Sequence, residues 1–193
     1  LGTTLSQTIS VMVAVTVIVK RRTGISLKKS DFKPQMQMMG QILRISIPVA
    51  LQDGFVQIAF LVITVIANRR GLNDAAAVGI VEKIISIVFL VPSTLLSTVS
   101  ALSAQNIGAK KYDRATATLR YAIFIAVGYG IVVATAMQFI GGGVVGIFTE
   151  DAIVITMGKQ YLSAYIWDCI FAGIHFSFSG YFCACGRSGI SFL

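Results

Sequence analysis

Charge is what this 193-residue sequence most lacks: Asp, Glu, Lys and Arg make up 12% of it, about half the share of a soluble domain. Eight acids and sixteen bases cannot cover a globule of this size with water-compatible surface. That excludes an ordinary soluble enzyme, a disordered regulator and a collagen-like fibre. Cysteine is scarce too. Cys169, Cys183 and Cys185 share one apolar stretch, too few for a disulfide framework and without the second pair of a zinc site; they read as small packing residues. One histidine and scattered acids give no metal-ligand spacing, so no metal is expected. Walker, GxSxG, HExxH and CxxC motifs are missing, so the sequence offers no catalytic residue and no cofactor motif. Gly141-Gly142-Gly143 follows no strand and is expected as a turn at a membrane edge, not as a phosphate cradle.

What is present is apolar. Hydrophobic residues make up 55% of the chain and the mean hydropathy is +0.81. The fold class this implies is all-α, a polytopic transmembrane helical bundle. Five spans are expected, over residues 1–19, 45–68, 76–104, 121–140 and 161–186. Each is long enough to cross a ~30 Å hydrocarbon layer at ~1.5 Å per residue. The first ends on Lys20-Arg21-Arg22; a signal peptide has its bases before the apolar run, so this reads as a stop-transfer helix. With no initiator Met, the chain is expected to begin inside a larger protein. Pro48 falls in the first turn of the second span, where a proline is tolerated. Pro92, central in the third, is expected to kink its helix unless a neighbour satisfies the freed carbonyl. Small hydroxyl residues from Ser93 to Ser103 suit close helix packing. In the linker over 20–44, Ser30-Asp31 ahead of Phe32, Met36, Met39 and Leu43 suggests a short amphipathic helix on the membrane surface.

A net charge of +8 invites a nucleic-acid reading, but the distribution argues otherwise. Loops 20–44 and 105–120, together with Arg187, carry twelve basic residues; Arg69, Arg70 and Lys159 are the three on the other side. This is a positive-inside pattern. It predicts a multi-pass plasma-membrane protein with loops 20–44 and 105–120 cytoplasmic, the lipid bilayer as partner and no nucleic acid. Contact of the basic stretch 20–33 with anionic lipid would be generic.

Ionisable groups within the spans need a reason, because each costs at least ~2.5 kcal/mol to insert. Asp53 and Gln57 are one turn apart in the second span and share a face. Asp53 lies ~12 Å from the inner end of its span, Asp168 ~10 Å from the outer end of the fifth, and Glu82 ~9 Å into the third. Three carboxylates at similar depth suit a shared polar cavity for a proton, a sodium ion or a cationic solute. The plainer alternative pairs each acid with a neighbouring helix. It is strongest for Glu82, beside Lys83, whose long side chain can reach outward. His175 reads as a hydrogen-bonded packing residue.

At the end of the third span, Ala104-Gln105-Asn106-Ile107-Gly108-Ala109 followed by Lys110-Lys111-Tyr112-Asp113-Arg114-Ala115 resembles the signature of the multidrug and toxic compound extrusion (MATE) family. Gly108 would allow the sharp exit from the span. Ile47-Pro48-Val49-Ala50-Leu51-Gln52, Gly79-Ile80-Val81-Glu82-Lys83-Ile84, and Gly180-Tyr181-Phe182 through Gly186-Arg187-Ser188 are similar to the family as well; Ala184 stands where the family often has Gly. The resemblance implies twelve helices in two lobes. Residues 1–19 would be the last helix of the first lobe, 20–44 the inter-lobe linker and 45–193 part of the second lobe. It also implies exchange of Na+ or H+ for an organic cation by alternating access, with the remainder of the transporter as partner and no transport by the piece alone. It points to acids in the first and fourth helices of the second lobe, which are Asp53 and Asp168 here. A lipid-linked oligosaccharide flippase of the same superfamily would instead need a strongly cationic cavity. A membrane enzyme or non-transporting subunit would gather its polar groups at one interface.

Overall fold

The computed structural model describes residues 2–20 and 35–192, and among these every regular element is a helix. The chain divides into two compact units, Leu1–Gly40 and Gln41–Leu193. The first holds α1 (Gly2–Lys20), which carries no charge before its last residue. Leu5, Val11 and Met12 of α1 are exposed. Thr8 and Thr16 donate their hydroxyls back to the Thr4 and Met12 carbonyls at 2.8 and 2.7 Å, a pairing that helical threonines commonly make. The basic residues from Arg21 to Lys33, with Ser30, Asp31 and Phe32, lie outside the described residues.

Helix α2 (Met36–Arg70) is 35 residues long. It takes in Met36, Met39 and Leu43, which were expected in a separate surface helix, because no residue before Pro48 forces a helix to end. Pro48 lies inside α2 and frees the carbonyl of Arg44 from its helical donor. Gly71, at φ +136°, turns the chain into α3 (Leu72–Val88). The expected third span is divided at Phe89, and α4 (Leu90–Gly108) continues it. The cause is Pro92, whose missing N–H would have bonded the Val88 carbonyl. The hydroxyl of Tyr129 donates to that carbonyl instead, at 3.0 Å.

The fourth span is also longer than expected. Helix α5 (Tyr112–Gly146) contains Gly141-Gly142-Gly143, so the triplet is not a turn. Its small size lets α6 (Ala152–Tyr165) approach: a Cβ on Gly141 would sit 3.6 Å from Leu162 and one on Gly142 3.4 Å from Lys159. Asp151 caps α6, accepting from the Ile153 and Val154 amides at 2.8 and 3.4 Å, a favoured N-cap arrangement. The expected fifth span is broken at Ile166-Trp167, after which α7 (Asp168–Ala184) and the short α8 (Ser188–Phe192) follow.

The core of the second unit joins Val81, Ile84, Ile85 and Val88 of α3 with Ala134 and Val145 of α5, Leu162 and Ile166, and Cys169 of α7. Helix α7 packs on α4 and α5 through small residues, as membrane helices do. At Gly180 a Cβ would fall 2.4 Å from the Leu96 carbonyl oxygen, so only glycine permits the contact. Cys169 is buried, Cys183 half-buried and Cys185 exposed, and all three are free thiols. Among the described residues three segments, Met36–Arg70, Leu72–Gly108 and Tyr112–Gly146, are long and apolar enough to cross a membrane. The first and fifth expected spans fall short of that among the described residues, the fifth because of its break. The protein is an all-α, membrane-embedded helical bundle.

Candidate functional site

Both helix breaks open onto one cavity. It has a volume of about 340 Å³ and is lined by Gln52, Asp53, Val56 and Phe60 of α2, by Phe89 at the first break, and by Tyr165, Asp168, Phe171, Ala172, His175 and Phe176 around the second. Phe89, Ile166 and Trp167 keep right-handed helical dihedrals, so each interruption is a bend and not an unwound stretch. Asp168 occupies the first turn of α7, where the partial positive charge of a helix N-terminus favours a carboxylate. Asp53 is the middle residue of α2. Asp53 and Asp168, expected at similar depth, therefore face the same space.

Helix geometry explains which neighbours join them. At about 100° per residue, Gln52, Val56, Phe60 and Asp53 span an arc of about 100°, and Gln57 falls about 40° beyond it. Gln57 is exposed and outside the cavity lining, so the shared face predicted for Asp53 and Gln57 does not put both at the cavity. Glu82 is not there either. It is half-buried on α3 and accepts a hydrogen bond from Thr64 at 3.3 Å, so the expected trio of carboxylates is a pair.

The remaining lining is aromatic and hydrogen-bonding. Tyr165 sits among Phe60, Phe89 and Tyr161, with ring centroids 6.4, 6.3 and 5.9 Å away. Among the lining residues none is Lys or Arg, so the charged side chains facing the cavity interior are the two aspartates. His175 is not a packing residue: it is exposed and lines the cavity. It is hydrogen-bonded, as expected, to the Gln52 amide. Ser191 donates to Gln52 Oε1 at 3.4 Å and shares a 2.6 Å hydrogen bond with Ser179. A neighbouring cavity of about 440 Å³ shares Gln52, Val56 and His175, so the Gln52–His175 pair stands in the wall common to both.

The resemblance-bearing loop is elsewhere. Gln105 is exposed at the end of α4, Asn106 donates to the Leu102 carbonyl at 2.8 Å, and Ala109 caps the helix. Gly108 does not make the exit turn. The left-handed residue is Lys110, at φ +59°, held by bonds from its own amide to Ile107 and from the Lys111 amide to Asn106. Arg114 is exposed on the first turn of α5. None of these residues lines the cavity between Asp53 and Asp168. Pro92 acts on that cavity indirectly, through the break at Phe89.

Sequence reasoning passed over Tyr165 and undervalued Gln52 and His175. The signals were there: His175 is two turns from Asp168 on the same face, and Tyr161 and Tyr165 are one turn apart.

Comparison with known proteins covers nearly all of the chain. The "Multidrug export protein MepA" of Staphylococcus aureus (strain NCTC 8325 / PS 47) is 27% identical over 188 residues, which is 97% of this chain and 41% of MepA. The "Probable multidrug resistance protein YoeA" of Bacillus subtilis (strain 168) is 22% identical over 175 residues, 89% of this chain and 38% of YoeA. The chain thus spans less than half the length of either relative. No solved structure matches it. The family described as MatE matches residues 48–193, and with that match over most of its length, the chain belongs to the MatE family.

Proposed function

We propose that this chain contributes part of the second lobe of an antiporter that exports organic cations across the plasma membrane in exchange for Na+ or H+. The observation that carries this reading is the placement of Asp53 and Asp168 on one aromatic cavity with no Lys or Arg in its lining. A cationic drug finds carboxylates for its charge and the faces of Phe60, Phe89 and Tyr165 for its rings, where a cation over an aromatic face gains ~0.5–2 kcal/mol. Sodium or a proton competes for the same carboxylates. At an effective dielectric of about 20, opposite charges ~5 Å apart attract by at most ~3 kcal/mol. Neutralising one acid then weakens the drug's hold by up to ~100-fold, and water in the cavity lowers that figure. Ion entry thereby favours the conformation that has released its drug. The relatives' names, multidrug export and multidrug resistance, support the substrate class. The basic character of loop 105–120 supports a cytoplasmic placement for it.

The test is ethidium efflux from cells expressing the complete open reading frame that carries this chain. Asp53→Asn and Asp168→Asn should each reduce efflux at least tenfold. Asp74→Asn, which alters a surface pair with Arg70 at 3.9 Å, should leave it within twofold. Normal efflux in both cavity variants would refute the reading. Replacing external Na+ with choline, or collapsing the proton gradient, identifies the coupling ion.

A further inference from the structure

A second polar cavity lies away from the two aspartates. It has a volume of about 530 Å³, and its lining includes Arg44 and Pro48 of α2 and Gly186, Arg187 and Ser188 of the turn between α7 and α8. Two arginines from distant parts of the sequence thus face one space. Among the described residues neither has an acidic partner; the ion pair found there joins Arg70 and Asp74. The sequence supplies no acid from Phe32 to Gln52 or from Cys169 to Leu193. Two like charges on the lining of one cavity repel each other, and an anion between them offsets that repulsion.

The serine adds an independent sign. Ser188 is 2% exposed, and its hydroxyl has no hydrogen-bond partner. Buried hydroxyls are ordinarily paired, and Ser188 stands on the cavity lining. The turn itself is fixed: Gly186 adopts φ +68°, and the Gly186 and Arg187 amides are already bonded to the Cys183 and Phe182 carbonyls at 3.0 and 2.9 Å. The side-chain donors on the lining are two planar forks and one hydroxyl. That set matches the oxygens of a phosphate group, which arginine grips in bidentate fashion.

Depth suggests where the phosphate comes from. Arg44 precedes Asp53 by nine residues on α2, about 13 Å along a helix. With Asp53 at the middle of the membrane, that distance approaches the ~15 Å half-thickness of the hydrocarbon layer. The site then lies at headgroup level.

We propose that Arg44, Arg187 and Ser188 form a phosphate-binding site at the membrane edge, occupied by the headgroup of an anionic phospholipid. The site is separate from the aspartate cavity, and its test does not use transport. Protein purified from the complete open reading frame is delipidated in detergent and titrated with phosphatidylglycerol, phosphatidylcholine or inorganic phosphate, and bound adducts are counted by native mass spectrometry. One phosphatidylglycerol should be retained about tenfold more tightly than phosphatidylcholine, and Arg44→Gln or Arg187→Gln should each remove about that tenfold. Lys110→Gln with Lys111→Gln, which removes a basic pair elsewhere, should change nothing. If Arg44→Gln or Arg187→Gln fails to fold, Arg44→Lys and Arg187→Lys keep the charge, lose the fork and should bind about threefold more weakly. Arginine-dependent binding of inorganic phosphate without lipid preference would support the phosphate chemistry and overturn the lipid source. Unchanged phosphatidylglycerol and phosphate binding in both arginine variants, or an equal loss in the Lys110/Lys111 variant, would overturn the site.

Discussion

The hydroxyl of Tyr129 supplies the donor that Pro92 lacks, and this substitution of one group for another can be measured. In Tyr129→Phe the Val88 carbonyl loses its partner at 3.0 Å while remaining in the interior of the bundle. Leaving a buried acceptor unpaired costs ~1–3 kcal/mol in soluble proteins, but hydrogen bonds between membrane helices average only ~0.6 and reach ~1.7 kcal/mol. The expected loss is therefore about 1 kcal/mol. Pro92→Ala restores a backbone N–H four residues after Val88. In that background the carbonyl has its helical donor, and Tyr129→Phe should cost less than ~0.5 kcal/mol. The double-mutant cycle then reports a coupling of at least ~0.5 kcal/mol, which is in the range for directly interacting groups. Reversible unfolding in SDS, followed by far-ultraviolet circular dichroism of protein from the complete open reading frame, provides the assay. Equal costs in the two backgrounds would refute the assignment of Tyr129 as the replacement donor. Because Phe89 follows Val88 and lines the aspartate cavity, the Tyr129→Phe variant is also expected to lower ethidium efflux.

Two further substitutions test the packing and the turn. Gly180→Ala should destabilise by ~2–3 kcal/mol, since its Cβ meets the Leu96 backbone and not a movable side-chain end. Gly143→Ala, helical and with nothing within 4 Å, should be neutral or stabilise by up to ~1 kcal/mol through helix propensity; the same SDS unfolding measurement checks both, and a reversed order would contradict the α4–α7 contact. Lys110→Gly should stabilise by ~0.5–1 kcal/mol by relieving the left-handed backbone. Lys110→Val should destabilise by more than that, and if thermal unfolding ranks Val above Gly, the exit turn is not where the structure puts it.

Hydropathy made the helical, membrane-embedded fold legible, and the cost of inserting charge drew attention to Asp53 and Asp168. The breaks were less legible, for different reasons. Pro92 was visible as a disturbance, but its effect falls on the preceding turn, because the carbonyl it frees belongs to Val88 and its ring crowds that turn. The break at Ile166-Trp167 contains neither Pro nor Gly; its one local sign is Asp168, an acid in a first helical turn. Glycines misled in the opposite direction. Gly141-Gly142-Gly143 would punctuate a soluble chain, but within a membrane helix glycine is common and admits a close neighbour. Gly108 looked like the exit turn, yet the positive φ is borne by Lys110. Which side of Asp53 faces the cavity depends on where α7 lies, and that placement selected Gln52 over Gln57.

The two aspartates stand on supports of unequal firmness. Asp168 begins a helix that buries Cys169, Gly173, Ser177, Ser179 and Gly180 and touches α4 closely enough to exclude any side chain at Gly180. Asp53 is on a 35-residue helix in which Ala67 is the one buried residue. Beyond the first unit, the links of α2 to the other helices include the Gln52–His175 bond, the Thr64–Glu82 bond and the Phe60–Tyr165 ring contact. Elements with few buried apolar contacts are drawn from the low-stability end of a structure. On the proposed reading, an ion or drug cation between the carboxylates attracts α2 toward α7, whereas an empty cavity leaves two like charges opposed across it. A few kcal/mol of such electrostatics is small against the α4–α7 packing but comparable with the few polar links of α2. If the cavity changes shape with its occupant, the physical expectation is that α2 yields and the Gln52–His175 bond is among the first to be tested.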